Sequence, residues 1–147
     1  MLRGLVLTTL LFLSPVLLAQ GEADAAPQRY VADIELQTHA QFLQLLERAE
    51  QMLLAGVPLP EEQAQVTFVL HGPVLKSLLR DNYLDNKRLV DLAASLSALE
   101  VIEVKACNTW MRVHGVDGAN LQPFVETVSY GPGLVERLVA EDNYLYF

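Results

Sequence analysis

The sequence contains one cysteine, Cys107, among its 147 residues. A single thiol cannot form a disulfide within the chain, so the core must be stable without covalent cross-links. The three histidines, His39, His71 and His114, are dispersed and show none of the paired spacings that typify a metal site. We therefore predict neither a bound metal nor a cofactor.

Basic residues are also scarce, with 10 lysines and arginines against 18 aspartates and glutamates, which gives a net charge of -8. Nucleic acids and anionic lipids select positively charged patches, so this composition argues against both as partners. The sequence has no Gly-x-Ser-x-Gly elbow, and Gly131-Pro132-Gly133 lacks the lysine and serine that end a phosphate-binding loop. We interpret Gly131-Pro132-Gly133 as a turn.

The apolar run at residues 5–18 is shorter than the roughly 20 residues that a membrane-spanning helix needs. It follows a short basic start and precedes Ala23-Asp24-Ala25, the A-x-A pattern that signal peptidase recognises. We predict that residues 1–25 are a cleaved signal peptide, that the protein is exported to the periplasm, and that it has no stable membrane insertion after cleavage. An uncleaved anchor is one alternative for this segment, and Ala19 is a second possible cleavage point.

Residues 26–147 form one predicted domain, because no linker, repeat or low-complexity stretch divides them. Hydrophobic periodicities of two and about 3.6 alternate along this part, which predicts an α/β fold with a mainly parallel sheet. The predicted strands are residues 30–36, 66–70, 101–106, 125–129 and 143–147. Helices are predicted after a capping box at Thr38 to Gln41, after Pro73, over residues 85–99, from Asn108 and from Leu134.

Cys107 lies between the predicted strand 101–106 and the helix that begins at Asn108. Ligands of parallel α/β sheets bind beyond the carboxyl ends of the strands, and His71 also follows such an end. A helix starting at Asn108 would point backbone N–H groups toward Cys107 and favour its thiolate form. We therefore select Cys107 as the candidate catalytic nucleophile, with His71 and Asn108 as candidate binding residues.

A set of residues spread over most of residues 26–147 carries a family resemblance. Its members are His71-Gly72-Pro73, Lys76, Cys107, Met111, Gly115, Pro123, Val125, Val128, Gly131, Leu138 and Tyr144-Leu145-Tyr146. In this order and spacing they resemble the DsrE/DsrF-like family. The resemblance implies a three-layer αβα fold around a parallel sheet and assembly as a homo-oligomer, often a trimer or hexamer. The family includes sulfur-relay proteins that carry a persulfide on one cysteine, and Cys107 occupies that position.

The resemblance implies a carrier of sulfur or thiol groups, with a sulfur donor or acceptor protein as partner, rather than a turnover enzyme. The alternative is a non-catalytic oligomeric binding or assembly module, because a free cysteine is often a small, buried hydrophobic residue. A third hypothesis is a redox protein that forms an intermolecular disulfide. The lack of a resolving cysteine in the chain argues against it.

Overall fold

The computed structural model describes residues 27–35, 37–61 and 63–147. The predicted signal peptide, residues 1–25, lies outside the described residues. Within the described ranges, no helix is both long and apolar enough to cross a membrane.

Five parallel strands form one sheet in the order β4-β3-β2-β1-β5. The strands are β1 Tyr30–Ile34, β2 Val66–Leu70, β3 Ile102–Cys107, β4 Val125–Val128 and β5 Leu145–Tyr146. The helices are α1 His39–Leu54, α2 Lys87–Ala98, α3 Asn108–Val113 and α4 Gly131–Ala140, and 3-10 turns at Pro73–Leu78, Arg80–Asn82 and Leu84–Asn86 join β2 to α2. Helices cover both faces of the sheet, which confirms the predicted three-layer αβα fold.

The start of α1 follows from its local sequence. Thr38 is the N-cap residue, and its side chain accepts a hydrogen bond from the Gln41 N–H at 3.4 Å. The Gln41 side chain does not reach back to a backbone group as a full capping box requires, because its Oε1 accepts the Thr38 hydroxyl instead. Gly56 follows the helix at φ +72°, a left-handed conformation that glycine adopts at little cost.

The interpretation of Gly131-Pro132-Gly133 as a turn is wrong, because these residues form the first turn of α4. Proline is favoured in the first turn of a helix, where its missing N–H has no intrahelical partner to lose. The helix therefore begins three residues before Leu134, where the apolar stripe becomes readable in the sequence.

The larger core lies between α1, α2 and one face of the sheet. Every residue of β2 is buried, as expected for a central strand covered on both faces. Phe68 projects from β2 into this core and packs edge to face against Phe42 of α1, at 5.5 Å between ring centroids. It makes a similar contact with Phe147 at 5.6 Å. Phe147, which follows β5, therefore packs against the central strand of the sheet.

Helix α4 packs on the opposite face of the sheet. It leads from β4 at one edge to β5 at the other, and so it crosses the strands between them. The smaller core beneath it consists of Val31, Val69, Val135, Leu138 and Tyr144. This crossing places the first turn of α4 above the carboxyl ends of β2 and β3.

Beside α4, the same face carries a polar network. The Lys105 ammonium contacts Glu103 at 2.8 Å and Glu126 at 2.7 Å, and Thr67 donates a hydrogen bond to Glu103 at 2.6 Å. Burial disfavours the charged form of Lys105, but the two carboxylates outweigh this effect and raise its pKa above the ordinary value of 10.5. The network thus occupies part of the face that α4 leaves uncovered.

The raised pKa of Lys105 predicts a loss of stability in strongly alkaline solution. Its contribution is fully present below pH 10.5, the ordinary lysine value, and is lost as the pH rises through the higher folded-state pKa. In urea unfolding, the free energy of unfolding of the wild type should exceed that of Lys105→Met by about 1 kcal/mol below this window, and the difference should disappear above it. Lys105→Arg, which stays charged, should keep its advantage over Lys105→Met at every pH. An advantage of the wild type that did not change with pH would contradict the assignment.

Candidate functional site

Three polar side chains lie in a row across the carboxyl ends of adjacent strands. Leu70 of β2 pairs with Ala106 of β3, so the next residues, His71 and Cys107, occupy neighbouring positions. Adjacent strands lie about 4.8 Å apart. The His71 N–H donates to Ile34 O at 3.0 Å, which continues the ladder to β1 and fixes the His71 backbone. The structure thus brings His71 and Cys107 together.

Asp33 of β1 completes the row. Its Oδ1 lies 2.5 Å from His71 Nε2, and the His71 side chain is only 17% exposed. An ionised carboxylate can only accept hydrogen bonds, so Nε2 carries the shared proton. In the neutral ring, Nδ1 is then left with its lone pair free to accept a proton. Asp33 therefore determines which nitrogen of His71 is available for chemistry.

The Cys107 sulfur is held by the beginning of α4. Its Sγ accepts a hydrogen bond from the Gly131 N–H at 3.3 Å. A side chain at Gly131 would crowd this contact, because a Cβ there would lie 3.1 Å from Val69 Cγ1 and 3.2 Å from Cys107 Cβ. Glycine thus allows the helix to approach the strand closely enough for its N–H to reach the sulfur.

The expected role of the α3 N-terminus at Cys107 differs from the observed one. Cys107 is the N-cap residue of α3, but its side chain makes no capping hydrogen bond to that helix. The bond comes from Gly131, 24 residues further along the chain. Asn108 is the exposed first residue of α3 and does not line the cavity beside Cys107.

A cavity of about 230 Å³ adjoins Cys107 and His71. Its other lining residues are Thr109, Trp110, Val113, His114, Tyr130 and Pro132. Most of this surface is apolar or aromatic, and none of the described residues that line it is a lysine or an arginine. The cavity therefore suits a small, largely uncharged group beside the sulfur better than a large anion.

The wall formed by α3 is fixed by local contacts. The Trp110 and His114 rings stack at 4.1 Å, and His114 Nδ1 bonds to Trp110 O at 2.9 Å. At the other end of α3, the Thr109 hydroxyl donates to Ser129 O at 2.8 Å. At the cavity mouth, however, Val113 and Tyr130 are 72% and 58% exposed. The cavity thus combines a rigid wall with an apolar rim.

The third histidine, His39, does not contribute to this site. His39 begins α1, is exposed and is not among the residues that line the cavity with His71 and His114. Across residues 27–35, 37–61 and 63–147, no group of three or more histidine, cysteine, aspartate or glutamate side chains could hold a metal ion.

Comparison with known proteins extends the evidence for the fold. No protein-family model matches the chain, and no curated protein matches it. It is similar to the solved structure of a protein of unknown function from Methanobacterium thermoautotrophicum, with a TM-score of 0.63 and 23% identity. The match covers 82% of this chain and 97% of that one. The likeness supports the three-layer fold, and the DsrE/DsrF-like assignment stays a prediction.

Sequence reasoning missed Asp33 and Gly131. Asp33 alternates with buried positions along β1 and so has the pattern of a solvated strand face. Its position at the carboxyl end of the strand is the signal that could have identified it, since the same argument selected His71. Gly131 is among the residues of the family resemblance, but the sequence does not reveal its contact with Cys107, because that contact depends on where α4 crosses the sheet.

Proposed function

We propose that this chain is a sulfur-carrying protein in which Cys107 holds a transferable sulfur atom as a persulfide. The hydrogen bond from the Gly131 N–H to the Cys107 Sγ carries this proposal. A backbone N–H directed at sulfur stabilises negative charge there, and the thiolate is the form of cysteine that attacks other sulfur atoms. The adjoining apolar cavity provides space for the transferred sulfur and the group that delivers it.

The loading step is an exchange of sulfur–sulfur bonds. The Cys107 thiolate attacks the outer sulfur of a donor R–S–SH and forms a new S–S bond to it. The S–S bond of the donor breaks, and its electron pair leaves with R–S⁻. The exchange consumes neither oxidant nor reductant. Delivery reverses this sequence, with an acceptor thiolate attacking the outer sulfur on Cys107.

The proposal includes membership of the DsrE/DsrF-like family, export to the periplasm through residues 1–25, and assembly as a trimer or hexamer. The exposed side chains of Val113 and Tyr130 support an assembly or partner contact beside the cavity. Apolar surface that lies beside a functional site is often covered by another protein chain. A donor or acceptor protein that docks there would bring its own sulfur to the cavity mouth.

Intact mass measurement tests the persulfide directly. The purified protein is mixed with cysteine persulfide or inorganic polysulfide, freed of excess donor and weighed. We expect the wild type to gain the mass of one sulfur atom, to lose it on reduction, and Cys107→Ser to gain none. Because Cys107 is the sole cysteine, the variant has no thiol that could substitute. A gain that persists in Cys107→Ser, or no gain in the wild type, would overturn the proposal.

The burial of Cys107, which is only 2% exposed, favours the second candidate, a binding or assembly module in which the cysteine is packing. Alkylation distinguishes the two functions. A packing cysteine reacts with iodoacetamide only when the protein unfolds, whereas a carrier cysteine reacts in the folded state through the cavity. Labelling that occurs only at urea concentrations above the denaturation midpoint would therefore support the module.

A further inference from the structure

We propose that Asp33, His71 and Cys107 act as one unit, in which Asp33 is a positioning residue and His71 transfers a proton during sulfur exchange. The inference rests on the proposed function, since it assigns the proton path of that exchange. It is carried by the Asp33 to His71 hydrogen bond, the neighbouring positions of His71 and Cys107, and the cavity that both residues line.

The proton path follows from the pairing of His71. Asp33 engages Nε2, so Nδ1 is the ring nitrogen that can accept the Cys107 thiol proton. When the donor S–S bond breaks, the same nitrogen returns that proton to the departing sulfur. The sum is Cys107–SH plus R–S–SH giving Cys107–S–SH plus R–SH. Every proton and electron pair is accounted for within the donor and the protein.

Proton return matters most when the departing thiolate is strongly basic. An alkyl thiolate is a poor leaving group and benefits from protonation, whereas an aromatic thiolate of low pKa leaves readily without it. The structure therefore assigns one class of donor to this site, the persulfides and disulfides of basic alkyl thiols. A thiol without a neighbouring proton donor reacts slowly with this class. The described residues that line the cavity include no lysine or arginine, so none of them places a fixed positive charge beside a departing anion, which agrees with this class.

The test compares leaving groups in thiol–disulfide exchange at Cys107, with a small dialkyl disulfide and an aromatic disulfide as probes. Both probes need the Cys107 thiol proton removed, but only the alkyl probe also needs a proton returned to its leaving group. We expect His71→Gln to slow the alkyl probe about 100-fold and the aromatic probe about tenfold, and Asp33→Asn to slow them about tenfold and about threefold. A purely electrostatic role of Asp33 predicts another result. Removing a negative charge near Cys107 would then accelerate both probes. Equal changes for the two probes would overturn the inference.

Glu35→Gln is the matched control. Glu35 is the exposed carboxylate just beyond β1, and its removal changes the net charge as Asp33→Asn does without touching His71. Both rates should remain within about twofold of the wild type, and urea unfolding should show all variants folded. If the wild type takes up no sulfur from persulfide yet the leaving-group pattern holds, the sulfur-carrying function fails and the unit stands. If it takes up sulfur but the pattern is absent, the unit fails.

Discussion

Phe68→Ala is expected to lower the free energy of unfolding by about 3–5 kcal/mol. Phe68 is completely buried in the central strand and contacts both Phe42 and Phe147 edge to face. Its removal exchanges a large apolar group for a cavity and breaks two aromatic contacts at once. Small domains have a total stability of about 5–15 kcal/mol, so this single change threatens folding at physiological temperature.

Urea denaturation followed by circular dichroism measures this loss, provided that the slope with denaturant stays at the wild-type value. Tyr146→Ala is the control, because Tyr146 also lies in a strand but is 66% exposed. We expect its effect to stay within about 0.5 kcal/mol. A loss below about 1 kcal/mol for Phe68→Ala would mean that the contacts among the three phenylalanine rings do not form.

Gly131→Ala is expected to impair both folding and sulfur loading. The new Cβ would approach Val69 Cγ1 to 3.1 Å and Cys107 Cβ to 3.2 Å, so the packing between α4 and the two strands must shift by a few tenths of an ångström. Overpacking of this kind lowers the free energy of unfolding by about 1–3 kcal/mol. Because hydrogen bonds to charged groups contribute about 1.5–3 kcal/mol, losing the N–H contact should slow persulfide formation at least about tenfold.

Gly118→Ala is the matched control for the loss of a glycine. A Cβ at Gly118 would lie 3.7 Å from Met111 Cε and 3.8 Å from Thr127 Cγ2, which are ordinary packing distances. Stability should change by no more than about 0.5 kcal/mol and the loading rate should not change. If Gly131→Ala matches Gly118→Ala in both measurements, the close approach of α4 has no functional role.

The alternation of strands and helices was predictable because it depends on local periodicity. The five β2 residues from Val66 to Leu70 form a continuous run of apolar and β-branched residues, which is typical of a strand covered on both faces. Strand order does not follow in this way, because one periodicity fits several arrangements of the same strands. The adjacency of β2 and β3, which brings His71 beside Cys107, therefore had to come from the structure.

The candidate site was predictable only in part for the same reason. Cys107 and His71 could be selected because each follows a strand end in the sequence. Gly131 could not, since its role depends on a helix that returns across the sheet from β4. In the sequence, Asp33 shows only the pattern of an exposed strand residue, and its role follows from its contact with His71. Long-range contacts thus determine the part of the site that sequence patterns leave open.

The path of α4 also makes the environment of the Cys107 sulfur dependent on a segment that lies 24 residues further along the chain. The chain up to β4 can form four neighbouring strands, with the cysteine already at the end of β3. Its sulfur gains the Gly131 contact only when α4 packs back on the sheet. Contacts between distant segments require costly loop closure. A chain that ends before Gly131 therefore lacks the backbone contact to the Cys107 sulfur.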